Sequence, residues 1–312
     1  MKKGQKTNRP PTPRRSFKER LHAEWNPNVT AWLLLAPALI CLLTFTVFPI
    51  LRSLYLSLTK YTMITPEPIW IGLKNYITLF TDASFWRIML NTLKLALMTL
   101  IPSMIIGLMF AILCNRKKKE VGFLRTAFFY PVVLPMIVIA SIFGYIYMAR
   151  QGLLDSTITA LGGNALDVLS SSKTALPSLA VLYVWREAGY LMIFYLSGLQ
   201  NINEDLYEAA RLDGASPFTM FRKITLPMLG PTLLFVSTIA ISDCVTQVDP
   251  ILMMTNGGPN ESTATLMFQI YKNGFVYFDQ GIASAETVIL LVIMLVIAMV
   301  QFVKTDNKIY YS

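Results

Sequence analysis

The chain has 312 residues, of which 54% are apolar and only 14% are charged, and its formal net charge is +9. Soluble domains average about 45–50% apolar and about 25% charged residues. The composition therefore excludes a disordered chain and disfavours an ordinary soluble enzyme. Three cysteines and one histidine also exclude a disulfide framework and a histidine metal cluster.

Six stretches are long and apolar enough to cross a membrane, which takes about 20 residues of helix. They lie at about 31–51, 93–114, 126–148, 176–199, 226–248 and 284–303. Prolines inside them are compatible with membrane helices, because neighbouring helices satisfy the freed carbonyl groups. We therefore predict an all-α membrane protein with six transmembrane helices over 29–312, preceded by a flexible basic tail over 1–28.

Lysine and arginine are distributed unequally between the two sides of this topology. Eighteen lie in the tails, in the link between spans two and three and in the link between spans four and five, against seven in the other links. Cytoplasmic segments carry such an excess, so both termini are expected in the cytoplasm. Because the charge is explained as a topology signal, no nucleic-acid partner is expected.

The link between spans four and five, residues 201–225, has the pattern of a folded element. Glu208 to Arg211 favour helix. Gly214 and the pair Ser216-Pro217 then end one helix and begin another. This helix–turn–helix either lies on lipid or docks a cytoplasmic protein.

Two motifs carry a resemblance to a known family. The first resembles the signature loop of permease subunits of ATP-binding-cassette importers, and its matching residues are Glu208, Ala209, Ala210, Gly214, Ile224, Leu226 and Pro227. The second, 254–259 with Thr263, Tyr271 and Phe275, is similar to the outer loop of carbohydrate-uptake permeases. The resemblance extends over about residues 30–312.

The resemblance implies a multi-pass permease subunit in the bacterial cytoplasmic (inner) membrane, forming half of the pathway of a carbohydrate importer. Its partners would be a second homologous permease subunit, ATPase subunits, an external solute-binding protein and the lipid bilayer. The residues that would couple to the ATPase are Glu208, Ala209, Ala210, Asp213, Gly214 and Ala215. The chain has no phosphate-binding P-loop motif, so ATP and Mg²⁺ would be bound by the ATPase subunits, and no cofactor, metal or catalytic site is expected on this transport subunit.

Charged residues inside spans cost at least about 2.5 kcal/mol each on insertion scales and should face protein or a water-filled cavity. Resemblance to the maltose-transporter permease, without a gap from Trp185 to Pro259, assigns a sugar pathway to Trp185, Arg186, Glu187, Tyr190, Ala240, Asp243, Cys244 and Gln247. An aromatic ring beside polar groups suits a sugar. A structural ion-pair network of Arg186, Glu187 and Asp243 is an equally open interpretation.

Other functions are less favoured by the sequence. Arg186 suits a phosphate such as that of glycerol 3-phosphate or another sugar phosphate, but two nearby carboxylates argue against it. A membrane-embedded enzyme would have only Glu187 and Asp243 as a carboxylate pair. Internal repeats in the sequence would favour a channel or secondary transporter, and none is convincing here.

Overall fold

A computed structural model describes residues 27–64, 67–116 and 121–306. The chain divides into two units, 1–52 and 53–312. Helix α1 covers Pro27–Leu42, and a π-helical turn over Leu43–Val47 leads into α2, Phe48–Ser57. Except for its last two residues, the predicted basic tail over 1–28 lies outside the described residues, as do the last six residues of the chain.

A short hairpin and two helices follow. Strands β1 (Thr59–Lys60) and β2 (Ile69–Trp70) pair antiparallel. Helix α3 covers Lys74–Thr81, and α4 covers Ala83–Cys114. The remaining helices are α5 (Val121–Val133), α6 (Met136–Ile146), α7 (Leu153–Ala160), α8 (Ala175–Gln200), α9 (Glu204–Leu212), α10 (Pro217–Met220), α11 (Leu226–Met228), α12 (Gly230–Thr246), α13 (Leu266–Tyr271) and α14 (Gln280–Asp306). Three further π-helical turns lie at Phe221–Thr225, Ile251–Thr255 and Lys272–Val276.

Within the described residues, five helical stretches are long and apolar enough to cross a membrane. They are Ala31–Ser57, Ala83–Cys114, Ala175–Gln200, Gly230–Thr255 and Gln280–Val303. A sixth candidate is the pair α5 and α6. The all-α membrane class predicted from the sequence is therefore present, although several boundaries differ from the prediction.

The predicted third span, 126–148, is not one straight helix. Helices α5 and α6 meet at 96° at a break between Val133 and Met136. Pro135 has no N–H to donate and its ring clashes with a helical carbonyl four residues earlier, so α5 ends before it. Helix α6 then restarts with the N–H groups of Val138 and Ile139 donating to the carbonyl of Pro135.

The second and fifth spans also differ from prediction. Helix α4 begins at Ala83 instead of about residue 93, because Asp82 caps it by accepting a hydrogen bond from the N–H of Ser84 at 2.8 Å. Arg87 and Lys94 interrupt the apolar run in these early turns without interrupting the helix. The fifth span was predicted at 226–248, but its long apolar helical stretch is Gly230–Thr255.

Helix α8 is the central helix of the second unit. In its most apolar window 61% of the residues are buried, against 28% for α4 and 11% for the last span. Two glycines bring its neighbours close. A Cβ atom at Gly189 would collide with the backbone carbonyl of Phe128 on α5, and one at Gly198 would collide with Thr232 on α12. Helices α5 and α12 therefore pack directly on the backbone of α8.

We expect Gly189→Ala to destabilise the folded protein by about 1–3 kcal/mol, because overpacking forces neighbouring backbones apart. The matched control is Gly122→Ala on α5, where an added Cβ meets nothing within 4 Å. Thermal unfolding of the purified protein in detergent measures the difference. Equal stability of the two variants would show that α5 and α8 are not in close contact at Gly189.

Candidate functional site

The segment 203–228, here called the hairpin, begins with a capped helix. The side chain of Asn203 accepts a hydrogen bond from the N–H of Asp205 at 3.0 Å at the start of α9. Glu204 and Asp205 occupy the first turn and Arg211 the last. Acidic residues at the first turn and basic residues at the last both favour the helix dipole, so this nine-residue helix is locally well specified.

The end of α9 is a tight turn fixed by two backbone hydrogen bonds. The N–H of Ala215 donates to the carbonyl of Ala210 at 2.9 Å, and the N–H of Gly214 donates to that of Arg211 at 3.0 Å. Gly214 has φ +74°, the left-handed region that favours glycine. This pair of bonds is the Schellman motif, and it sets the direction in which the chain leaves α9.

A second helical segment follows and returns towards the membrane helices. The hydroxyl of Ser216 accepts a hydrogen bond from the N–H of Thr219 at 3.2 Å, and Pro217 occupies the first turn of α10. The hydroxyls of Tyr207 and Thr225 are 2.9 Å apart. This bond joins α9 to the segment that leads into α12.

The residues predicted to couple to the ATPase lie on the surface of the hairpin. Glu208, Ala209, Asp213 and Gly214 are exposed, while Ala210 and Ala215 are partly buried. Two large apolar side chains of the hairpin are also exposed: Leu212 is 89% exposed and Phe218 is 71% exposed. The hairpin therefore presents a rigid surface with apolar residues that lack a cover within the described chain.

A cleft of about 840 Å³ separates the hairpin from the last turn of α4 and the first turns of α5. Its charged lining residues include Arg116, Arg125, Arg211 and Glu208. The guanidinium of Arg125 donates to the carbonyl of Cys114 at 2.9 Å, which caps the end of α4. This cap is not predictable from the sequence, in which its only signal is the basic link between spans two and three.

We expect Tyr207→Phe to loosen α9 from the segment leading into α12, because a hydrogen bond contributes about 1 kcal/mol net. Hydrogen exchange of the α9 amides should become faster, and Thr225→Val should have the same effect. The double variant should be no worse than either single variant, since both remove one bond. Additive effects of the two substitutions would contradict the bond.

Inside the spans, three of the predicted pathway residues meet in one polar cluster. Glu187 is 1% exposed, and its Oε1 accepts from Arg186 Nη1 at 2.9 Å and from Gln247 Nε2 at 3.4 Å. Glu187 lies on α8, whereas Gln247 directly follows α12. The cluster therefore links spans four and five.

Each member of this cluster also keeps a buried polar atom without a hydrogen-bond partner among the described residues. These atoms are Arg186 Nε, Glu187 Oε2 and Gln247 Oε1. Unsatisfied buried polar atoms are costly, and here three of them lie in one cluster. The cluster thus has the chemistry of an ion pair and, at the same time, unused donors and acceptors.

Asp243 and Cys244 lie in the last turn of α12, just before Gln247. Asp243 is partly buried. The thiol of Cys244 accepts a hydrogen bond from the hydroxyl of Thr99 on α4 at 2.9 Å. Cys244 therefore contacts span two through this bond.

The two predicted aromatic residues have different aromatic neighbours. Trp185 packs on Phe143 of α6, with ring centroids 5.5 Å apart, and lines an apolar groove between α4 and α8. Tyr190 packs edge-on against Phe194 at 5.1 Å. Trp185 lies two residues from Glu187 and therefore on a different face of α8, and the pathway role of both aromatic residues stays a prediction.

Comparison with known proteins identifies the family. A model described as "binding-protein-dependent transport system inner membrane component" matches residues 103–303. The chain belongs to this family. It is therefore a permease subunit of the inner membrane, a transport component and not an enzyme.

Relatives support the same assignment for this permease. It is 34% identical over 286 residues to the probable ABC transporter permease protein YurN of Bacillus subtilis, covering 90% of this chain and 98% of the relative. It is 31% identical over 279 residues to the probable starch degradation products transport system permease protein AmyD of Thermoanaerobacterium thermosulfurigenes, covering 89% and 94%.

A solved structure shares the fold. A chain of a bacterial ABC transporter involved in the import of the acidic polysaccharide alginate superposes with a TM-score of 0.80 at 23% identity, covering 92% of the permease and 99% of that chain. At this identity the likeness concerns the fold alone.

Proposed function

We propose that this permease forms half of the transmembrane pathway of an importer for a carbohydrate, an oligosaccharide or a related polyol or sugar derivative. The observation that carries the proposal is the family match over residues 103–303, supported by a relative named for starch degradation products. The other half would be a second homologous permease subunit. An external solute-binding protein would deliver the substrate.

The hairpin is proposed as the contact with the ATPase subunits. Leu212 and Phe218 of the hairpin are exposed, and a cleft in a cytoplasmic ATPase would bury them. Glu208 would be the charged contact, with Ala209, Ala210, Asp213 and Ala215 beside it. Because the Gly214 turn and the Tyr207 bond make the hairpin rigid, it would transmit a rigid-body movement into spans four and five and so drive alternating access.

The proposed topology places the hairpin and both termini in the cytoplasm. The excess of lysine and arginine on that side supports it. ATP and Mg²⁺ would then be bound by the ATPase subunits beneath the hairpin, and this chain would hold neither.

The polar cluster of Arg186, Glu187 and Gln247 is proposed to line the substrate pathway together with Asp243. The unpartnered atoms of the cluster supply both donors and acceptors, as the hydroxyl groups of a sugar require. The Arg186 guanidinium is already paired with Glu187 at 2.9 Å. This pairing favours a neutral sugar over glycerol 3-phosphate, which would need an uncommitted cation.

The direct test is the uptake of labelled carbohydrates by cells with and without the gene for this permease. We expect one neutral carbohydrate to accumulate only when the gene is present, and its uptake to be lost when the ATPase is inactivated. Gene-dependent accumulation of a sugar phosphate, with no neutral carbohydrate taken up, would contradict the proposed substrate class. Uptake that continues without ATP hydrolysis would contradict the importer mechanism.

A further inference from the structure

Helix α3 presents three different faces. Asn75 and Leu79 are buried against the protein, and Lys74, Thr78 and Thr81 are exposed polar residues on a second face. The third face is an apolar stripe at helical spacing in which Leu73 is 64%, Ile77 62% and Phe80 47% exposed. A helix with a protein face, a water face and an uncovered apolar stripe fits the boundary between lipid and water.

The helix is held so that this stripe cannot turn inward. The amide of Asn75 donates to the carbonyls of Ser57 and Thr59 at 2.8 and 2.9 Å. At the other end, the indole N–H of Trp86 donates to the carbonyl of Phe80 at 3.0 Å. Leu79 packs in the same apolar cluster as Phe85. The outward direction of the stripe is therefore fixed by contacts at both ends of α3.

The stripe is continuous with an exposed apolar surface of span two. Trp86, Leu90, Leu93 and Leu97 follow one another along α4 and are all about half exposed. The 32 residues of α4 measure about 48 Å at 1.5 Å per residue, close to the roughly 40–45 Å of a bilayer with its headgroups. The N-terminal end of α4, and with it α3, therefore lies at headgroup depth.

Trp86 supports this depth independently. Tryptophan is enriched at membrane interfaces, where its ring is apolar and its N–H is polar. The other end of α4 lines the cleft beside the hairpin, so α3 belongs to the opposite end of the bundle. We propose that α3 is an interfacial helix whose stripe of Leu73, Ile77 and Phe80 inserts into the lipid headgroup layer at that end.

The test uses a nitroxide label at Ile77→Cys, compared with Thr78→Cys on the adjacent polar face. Of the three cysteines only Cys41 is exposed, so a Cys41→Ala background limits labelling to the introduced thiol. The complete transporter is reconstituted in vesicles of phosphatidylethanolamine and phosphatidylglycerol. Collisions of each label with oxygen, which concentrates in lipid, and with a water-soluble nickel chelate are then measured by electron paramagnetic resonance.

We expect the label at 77 to show severalfold more oxygen contact and severalfold less nickel contact than the label at 78. Phe80→Cys should repeat the result for 77, which guards against failure of a single variant. Equal nickel contact at 77 and 78 would place α3 in water and overturn the proposal. An immobile label at 77 reached by neither reagent would mean that a protein partner covers the stripe, and would overturn it equally.

Discussion

Replacing Gly214 by valine should reduce ATP-driven uptake by about tenfold or more while the amount of permease in the membrane stays normal. A non-glycine residue in the left-handed region costs roughly 1–2 kcal/mol, and a branched side chain is the worst choice. An added Cβ at Gly214 meets nothing within 4 Å. The effect would therefore come from the backbone angle at the turn, which orients α9, and not from a steric clash.

Gly214→Asn is the matched control, because asparagine tolerates the left-handed conformation better than other residues. We expect it to retain most of the uptake. Uptake is measured with the identified sugar in intact cells, and membrane content by immunoblot. Equal uptake by the valine and asparagine variants would show that coupling does not depend on the geometry of the turn.

Replacing Glu187 by leucine should strongly reduce the amount of folded permease. The substitution leaves the Arg186 guanidinium without its carboxylate partner, and breaking a buried ion pair from one side costs about 3–5 kcal/mol. Arg186→Met in the same chain should restore folding, since it removes the orphaned charge. The amount of monodisperse protein extracted in detergent measures how much of each variant is folded.

The double variant also separates the two interpretations of the cluster. If Arg186 and Glu187 contact substrate, the refolded double variant should still fail to transport it, or should need a much higher substrate concentration. If Arg186 and Glu187 only neutralise each other's charge within the protein, uptake should return with folding. We expect folding without uptake, and full recovery of transport would refute the pathway assignment.

Sequence patterns were sufficient for the features that depend on local chemistry. The hairpin is an example, since Gly214 and Ser216-Pro217 are strong end and start signals and the structure has a helix on either side of them. Charge content and the long apolar stretches likewise predict the membrane class. The ten additional residues of α4 were missed because Arg87 and Lys94 break the apolar run on the exposed side of an otherwise continuous helix.

Features that depend on packing between distant segments could not be predicted. The direct contact at Gly189 requires knowing that α5 passes over α8. The different surroundings of Trp185 and Glu187 were predictable in part, since residues two apart in sequence lie on different faces of a helix. The apolar stripe of α3 has a sequence signal, the spacing of Leu73, Ile77 and Phe80, but the helix is too short for that signal to stand out.

Docking of the hairpin in the ATPase can be tested with Leu212→Cys, because the side chain of Leu212 is 89% exposed. In the assembled transporter, a short bifunctional thiol reagent should crosslink this position to a cysteine introduced in the cleft of the ATPase subunit. The yield should change when ATP is bound. The absence of any crosslink to the ATPase, or labelling of this cysteine by an impermeant reagent added outside intact cells, would show that the hairpin does not dock in the ATPase.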